Sequence, residues 1–205
     1  MLDGLMREVI DTPLNRGGRW LALRGASADM VTLVGLGFGL IAAALLVAGW
    51  SGVLVALPLL ANRLADGLDG AVARARGKSD FGGYLDITCD FAFYGAIPLA
   101  FVLADPAMNG AAGAFLLASF YLNGATFLGF AILAEKRGLT TRSRGEKSLY
   151  FTAGLMEGTE TIAVFVVVVL WPPLFVPLAW VFGVLCIVTA LARVILARRV
   201  FDKGI

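Results

Sequence analysis

Six long apolar segments separated by short connections limit the fold of this chain more than any other feature. Each is about as long as the roughly 20 residues that an α-helix needs to cross a hydrocarbon core of about 30 Å. With 59% hydrophobic and 16% charged residues, the composition also lies outside the soluble globular range. We therefore predict an all-α integral membrane protein with six transmembrane helices. The predicted spans are 30–50, 53–75, 82–104, 111–134, 149–171 and 174–196.

Apart from one arginine within the second span, the basic residues fall on alternate connections only. By the positive-inside rule, connections rich in lysine and arginine are cytoplasmic. We therefore predict a multi-pass protein of the inner (cytoplasmic) membrane, with both termini on the cytoplasmic side. The residues that carry this pattern are Arg7, Arg16, Arg19, Arg24, Arg74, Arg76, Lys78, Lys136, Arg137, Arg142, Arg144, Lys147, Arg193, Arg198, Arg199 and Lys203.

Residues 1–28 carry too much charge to span a membrane, yet their apolar residues recur at helical spacing among arginines. This pattern predicts a juxtamembrane amphipathic helix on the inner leaflet, broken near Pro13 and the Gly17-Gly18 pair. The chain shows no internal repeat and no linker. We therefore expect a single membrane domain over 1–205.

Histidine is absent from the chain, which excludes a Ser-His-Asp triad and a histidine-based zinc site. Cys89 and Cys186 are isolated on apolar segments, where a small buried hydrophobic role is expected. Acid–base chemistry in this chain therefore falls to carboxylates.

Four aspartates stand in or against the second and third predicted spans. Asp66 and Asp69 are three positions apart, and Asp86 and Asp90 four apart, so each pair projects from one face of a helix. Burying carboxylates in an apolar medium costs several kcal/mol each unless a cation meets them. Hard oxygen ligands select Mg²⁺, Mn²⁺ or Ca²⁺. The pattern predicts a metal site that faces the cytoplasm, because both pairs flank the basic connection after the second span.

These residues resemble the signature of the CDP-alcohol phosphatidyltransferase family, D-x-x-D-G-x-x-A-R followed after a spacer by G-x-x-x-D-x-x-x-D. Every defined position is matched in order, and the chain resembles small bacterial members of the family in length and number of spans. The spacer is one residue shorter than in many relatives. The matching residues are Asp66, Asp69, Gly70, Ala73, Arg74, Gly82, Asp86 and Asp90.

The resemblance implies an enzyme that moves a phosphatidyl group from CDP-diacylglycerol, or a similar CDP-linked lipid, to a small polar alcohol and releases CMP. It implies that Mg²⁺ or Mn²⁺ is held by all four aspartates, with Asp86 and Asp90 in catalysis and Asp90 as the proposed general base. The nucleotide end would be lined by Gly70, Ala73, Arg74, Gly82 and Thr32, although Thr32 is equally well explained as an ordinary helix-face hydroxyl.

The acceptor alcohol is left open among serine, choline, inositol and a sugar or polyol phosphate. The basic run after the fourth span matches a region that binds anionic acceptors in small family members, but the positive-inside rule explains it equally well. A proline eight positions after Asp90 resembles phosphatidylserine and phosphatidylcholine synthases, although a kink in the helix also explains it. The first span lacks the arginine that phosphatidylglycerophosphate synthases carry shortly after their threonine, which argues against glycerol phosphate. The candidate acceptor residues are Arg142, Arg144, Lys147, Glu157, Glu160 and Arg193.

Three ionisable residues lie too deep in predicted spans to be ordinary surface charges. Arg63 stands one helical turn before Asp66, while Glu157 and Glu160 stand in the fifth span. One hypothesis pairs Arg63 with one of these glutamates, because a buried pair would satisfy both charges. The other places the glutamates in the acceptor pocket.

Intramembrane acids also occur in cation- or proton-coupled transporters, which is the alternative function for this chain. No inverted repeat supports it. The expected partners are the CDP-linked lipid, the acceptor alcohol and membrane lipids, with no nucleic acid. The family resemblance adds a homodimer as one form that such a protein can take.

Overall fold

The structure is a computed structural model that describes residues 3–138 and 158–202. Within these two ranges the chain is helical and contains no strand, which confirms the predicted all-α class. A 3-10 turn at Pro172–Leu174 precedes the last helix. The helices are α1 (Asp3–Leu23), α2 (Ala28–Val47), α3 (Gly52–Arg76), α4 (Asp80–Ala104), α5 (Pro106–Lys136), α6 (Gly158–Leu170) and α7 (Phe175–Phe201).

Four of these segments are long and apolar enough to cross a membrane: Ala28–Val47, Asp80–Ala104, Pro106–Lys136 and Pro172–Phe201. They coincide with four of the six predicted spans. Helix α3 is long enough to cross a membrane, but its second half carries the charged residues of the site. Helix α6 is 13 residues long, and the beginning of the span predicted there lies outside the described residues.

Helix α1 is continuous, so the predicted break near Pro13 and the two glycines was wrong. The glycines have another role, because they let α1 approach α3. A Cβ atom on Gly18 would overlap Ala71 of α3, and one on Gly17 would lie 3.0 Å from Leu68 Cδ2. The missing side chains therefore serve close helix packing, as small residues do between membrane helices.

The apolar core adjoins the charged residues of α3 and α4. Its largest members include Leu59, Phe93, Ile97 and Phe165, all at most 1% exposed. Phe93 and Phe165 meet edge to face, with ring centroids 5.9 Å apart, an arrangement that aromatic pairs favour. This core links α3, α4 and α6 and fixes the helices that carry the charged residues.

The arginines at two helix ends donate hydrogen bonds to backbone carbonyls near the ends of other helices. Arg76, in the last turn of α3, donates hydrogen bonds to the carbonyls of Gly25 and Ala26 between α1 and α2, both at 2.8 Å. Arg137, just after α5, donates to the carbonyl of Val200 at 3.4 Å near the end of α7. Because consecutive spans run in opposite directions, these contacts lie at one end of the bundle.

Candidate active site

Three of the four aspartates converge between α3 and α4. One carboxylate oxygen each from Asp66, Asp69 and Asp86 lies within 4.8 Å of the other two. The i,i+3 spacing on α3 supplies the first two, and the first turns of α4 bring Asp86 to them. The predicted convergence of the two helices is therefore found for these three side chains. Three hard oxygens at this separation can surround one small divalent cation.

Thr32 of α2 holds the most buried of these carboxylates. Its hydroxyl lies 2.6 Å from Asp69 Oδ2 and donates to it, and both residues are buried. The sequence left the role of Thr32 open, and the structure gives it a contact within the site. Residues that orient a metal ligand in this way affect metal affinity without touching the ion.

We expect Thr32→Val to weaken divalent-metal binding by roughly 10- to 100-fold, the usual effect of losing a group that orients a ligand. Valine keeps the shape of threonine and removes only the hydroxyl that fixes Asp69. Equilibrium dialysis with Mn²⁺ on detergent-purified protein measures the change. Thr88→Val is the matched control, because the bond that the Thr88 hydroxyl makes among the described residues stays within its own helix, at the Tyr84 carbonyl. Equal affinity in the two variants would show that Thr32 does not orient the ligand.

Asp90 lies outside the three-carboxylate group. The prediction placed all four aspartates on the metal, but Asp90 Oδ1 accepts a hydrogen bond from Arg63 Nη2 at 3.1 Å. Arg63 Nη1 also lies 3.6 Å from Asp66 Oδ2. The site therefore contains its own cation, which the sequence analysis identified as misplaced in a membrane span without assigning it to the carboxylates.

One of the two hypotheses for these charges paired Arg63 with a glutamate of the fifth span. Glu157 lies outside the described residues, and the ion pairs that the structure describes for Arg63 go to Asp66 and Asp90. The difference follows from position: residues three apart on a helix share a face, so Arg63 points to the same side of α3 as Asp66.

Asn62 belongs to the site and was missed by sequence reasoning. Its side chain donates to the Gly35 carbonyl of α2 at 2.8 Å and accepts from Arg63 Nε at 2.7 Å. A signal was available, because Asn62 stands four positions before Asp66 and seven before Asp69, on the same helix face. A polar residue on that face of a membrane span indicates the site rather than lipid.

A cleft of about 470 Å³ opens from the carboxylates toward the basic end of the bundle. It contains all five residues predicted for the nucleotide end, together with Asp69 and Asp86 on its floor. The starts of α2 and α4 both border it, and a helix N-terminus favours anions. Its lining comprises Ser27, Ala28, Asp29, Thr32, Asp69, Gly70, Ala73, Arg74, Arg76, Gly77, Lys78, Ser79, Gly82, Gly83 and Asp86.

Gly82 keeps this cleft open where α2 and α4 approach each other. A Cβ atom at this position would lie 2.9 Å from Ser79 Oγ and 3.2 Å from Asp29 Oδ1. Ser79 is the N-cap of α4 and accepts from the Gly82 amide at 2.9 Å. A side chain here would press on the cap and on the wall of the cleft.

We expect Gly82→Ala to raise the KM for a CDP-linked lipid by about tenfold, equivalent to about 1.4 kcal/mol of binding free energy. Divalent-metal affinity should stay unchanged, because Gly82 does not touch the three carboxylates. Donor titrations with the wild type and the variant provide the measurement. Gly95→Ala on the same helix is the control, since a Cβ atom there meets nothing within 4 Å. An unchanged KM for the donor would remove Gly82 from the nucleotide end.

Arg74 is held over the cleft by α1. Its Nε and Nη2 both donate to Asn15 Oδ1, at 3.1 and 2.9 Å. Sequence analysis did not identify Asn15, because the contact joins residues 59 positions apart. The N-terminal helix therefore takes part in shaping the cleft.

The predicted acceptor residues are only partly within the described chain. Arg142, Arg144, Lys147 and Glu157 lie outside it, while Glu160 is in the first turn of α6. Arg193 of α7 points to α5, where its Nη1 lies 2.9 Å from both Asn123 Oδ1 and Thr126 Oγ1. Arg193 does not line the cleft described above.

Comparisons with known proteins identify relatives of this fold and sequence, although no family model matches the chain. The chain is 45% identical over 195 residues to inner membrane protein YnjF of Escherichia coli, covering 95% of this chain and 94% of that protein. Over 86 residues it is 37% identical to an archaetidylinositol phosphate synthase of Pyrococcus horikoshii, covering 42% of this chain and 45% of that protein. The fold matches a crystal structure of Mycobacterium tuberculosis phosphatidylinositol phosphate synthase with CDP-DAG bound, with a TM-score of 0.66, 23% identity, and coverage of 88% and 91% of the two chains.

This chain has a helical membrane fold with three clustered carboxylates beside a basic cleft, and it is similar in fold and sequence to synthases of membrane phospholipids. The chain belongs to the CDP-alcohol phosphatidyltransferase family. Membership confirms the resemblance found in the D-x-x-D-G-x-x-A-R motif and its continuation.

Proposed function

We propose that this protein transfers a phosphatidyl group from CDP-diacylglycerol, or a similar CDP-linked lipid, to the hydroxyl of a small polar acceptor. The observation that carries the proposal is a cleft that joins two of the three clustered carboxylates, Asp69 and Asp86, to a basic rim. A pyrophosphate needs cationic groups around its oxygens, and Arg74, Arg76 and Lys78 line the rim. The structural relative was crystallised with CDP-DAG bound, which supports the same donor here.

Asp66, Asp69 and Asp86 would hold a divalent cation, and Mg²⁺ and Mn²⁺ are the metals we propose. The donor set fits, because three carboxylate oxygens face one another and Thr32 orients the most buried of them. When bound, such an ion withdraws charge from a pyrophosphate and stabilises the departing nucleotide.

The protein side chains would position both substrates and move one proton. The oxygen of the acceptor hydroxyl attacks the phosphorus of the phosphatidyl group and forms the new phosphate ester. The bond from that phosphorus to the bridging oxygen breaks, and CMP leaves with the electron pair. Asp90 accepts the hydroxyl proton as general base, a role suited to a carboxylate that lies outside the metal-ligand group. Arg63 orients Asp90 through its hydrogen bond to Oδ1.

For the whole chain we propose six spans in the inner (cytoplasmic) membrane, with both termini and the active site cytoplasmic. Four apolar helices and the E. coli inner membrane relative support this arrangement. The second span is α3, whose charged half faces the site, and the fifth includes α6. Helix α1 is proposed to lie at the inner leaflet, and the possible homodimer stays a prediction from the family.

The acceptor is proposed to be a small polar alcohol, drawn from serine, choline, inositol and sugar or polyol phosphates. Two relatives are inositol phosphate lipid synthases by name, which places inositol phosphate first in an acceptor panel. Arg193 would serve this subsite by holding α5 against α7. Glu160 and the predicted residues outside the described chain remain candidates for direct contact.

The test is acceptor-dependent release of CMP by purified protein in mixed micelles of CDP-diacylglycerol with Mg²⁺ or Mn²⁺. Serine, choline, inositol, inositol phosphate and glycerol phosphate are supplied one at a time. Release with one acceptor only would establish the transferase and name its product. No release with any acceptor, together with no binding of the CDP-linked lipid, would contradict the proposed function.

A further inference from the structure

The guanidinium of Arg63 is a cation that belongs to the chain itself and lies among the carboxylates. The function proposed above requires a metal ion at the same site. The Arg63 side chain is 16% exposed, less than the two carboxylates with which it pairs, Asp66 at 37% and Asp90 at 29%. Its Nη2 lies 3.1 Å from Asp90 Oδ1 and its Nη1 lies 3.6 Å from Asp66 Oδ2. The guanidinium therefore bridges one member of the metal-ligand group and the one aspartate outside it.

The contacts of the Arg63 side chain hold its guanidinium in a fixed position. Its Nε donates to Asn62 Oδ1 at 2.7 Å, and Asn62, which is 3% exposed, is itself anchored to the Gly35 carbonyl. The guanidinium carbon lies 4.5 Å from the ring centroid of Phe93, which is fully buried. Hydrogen bonds on two sides and an aromatic face together fix a planar guanidinium.

We propose that Arg63 takes the place of a second cation in the substrate-free enzyme. This inference rests on the proposed metal-dependent function. A divalent ion shared by Asp66 and Asp90 would need carboxylate oxygens that now face the guanidinium, and like charges at contact distance repel strongly away from water. Arg63 is thus a positioning residue: it keeps Asp90 off the metal and leaves that carboxylate for the acceptor hydroxyl.

Formal charge supports a single ion. Four carboxylates and one guanidinium leave three negative charges in the site, so one divalent ion brings it near neutrality. A second ion becomes favourable only when Arg63 is removed or when the pyrophosphate of a donor adds negative charge. All four aspartates and Arg63 line one small cavity of about 10 Å³, which has room for about one water-sized particle.

The experiment counts Mn²⁺ ions per chain by equilibrium dialysis and electron paramagnetic resonance, on full-length protein in detergent without nucleotide. We expect one ion in the wild type and two in Arg63→Gln. Asp90→Asn should still bind one ion with an affinity within about threefold of the wild type, less than 1 kcal/mol. Asp86→Asn should lose the ion.

Two results would overturn the inference: equal counts in the wild type and Arg63→Gln, or loss of the ion in Asp90→Asn. If Arg63→Gln does not fold, the Mn²⁺ count of Asp90→Asn still tests the inference. If the wild type releases CMP normally while its count equals that of Arg63→Gln, only the inference on Arg63 fails. A wild type that binds no Mn²⁺ and releases no CMP overturns the proposed function as well.

Discussion

Asp90→Asn is expected to lower acceptor-dependent CMP release by roughly 10²- to 10⁴-fold, the range that a positioned general base contributes. Asparagine keeps the shape of aspartate and can still accept the hydrogen bond that Arg63 Nη2 donates at 3.1 Å. It cannot take the proton of the acceptor hydroxyl. The loss should therefore fall on kcat, with the donor KM and the thermal stability close to those of the wild type.

Steady-state CMP release at saturating donor and acceptor provides this measurement. Asp80→Asn is the matched control, since Asp80 lies in the exposed first turn of the same helix. A kcat within threefold of the control would exclude Asp90 as the base. A collapse of donor affinity with no change in kcat would place Asp90 in binding instead.

Asp86→Asn is expected to abolish both metal binding and turnover. Asp86 is the contribution of α4 to the three-carboxylate group, and no other described α4 carboxylate belongs to it. Losing a direct ligand should cost more than the 10- to 100-fold typical of an orienting partner, so we expect a decrease of more than about 100-fold in Mn²⁺ affinity. Activity should not recover at any accessible Mg²⁺ concentration.

Mn²⁺ dialysis and CMP release are measured on the same Asp86→Asn preparation, with Asp80→Asn again as the control. The removal of one negative charge is then the same in both variants. Normal turnover in Asp86→Asn would contradict the three-carboxylate site. A parallel loss of Mn²⁺ binding in Asp80→Asn would show that general electrostatics, and not ligation, sets the affinity.

Helix positions and the carboxylate cluster could be predicted from the sequence because they depend on local rules. Apolar length placed helices close to those found, and i,i+3 and i,i+4 spacing placed each aspartate pair on one face. The resemblance assigned five residues to the nucleotide end, and all five line one cleft: Thr32, Gly70, Ala73, Arg74 and Gly82. The sequence patterns behind these predictions involve residues that are close together along the chain.

Features that depend on how distant helices meet could not be predicted in this way. Gly17 and Gly18 suggested a break in α1, since glycine weakens an isolated helix, but their contacts with α3 favour continuity. Asn15 could not be connected to Arg74 without knowing that α1 lies on α3. The ion pair between Asp90 and Arg63 was not predicted either, because it joins residues of two helices that are 27 positions apart.

The most direct test of the whole account is to identify the lipid product. Wild-type protein and Asp90→Asn are reconstituted in liposomes that contain CDP-diacylglycerol and Mg²⁺, with isotopically labelled inositol phosphate and then the other acceptors. Mass spectrometry follows the products. The account predicts a labelled phosphatidyl lipid, formed in equal amount with CMP by the wild type and nearly absent from Asp90→Asn. Free CMP without a labelled lipid, or equal product from both proteins, would contradict it.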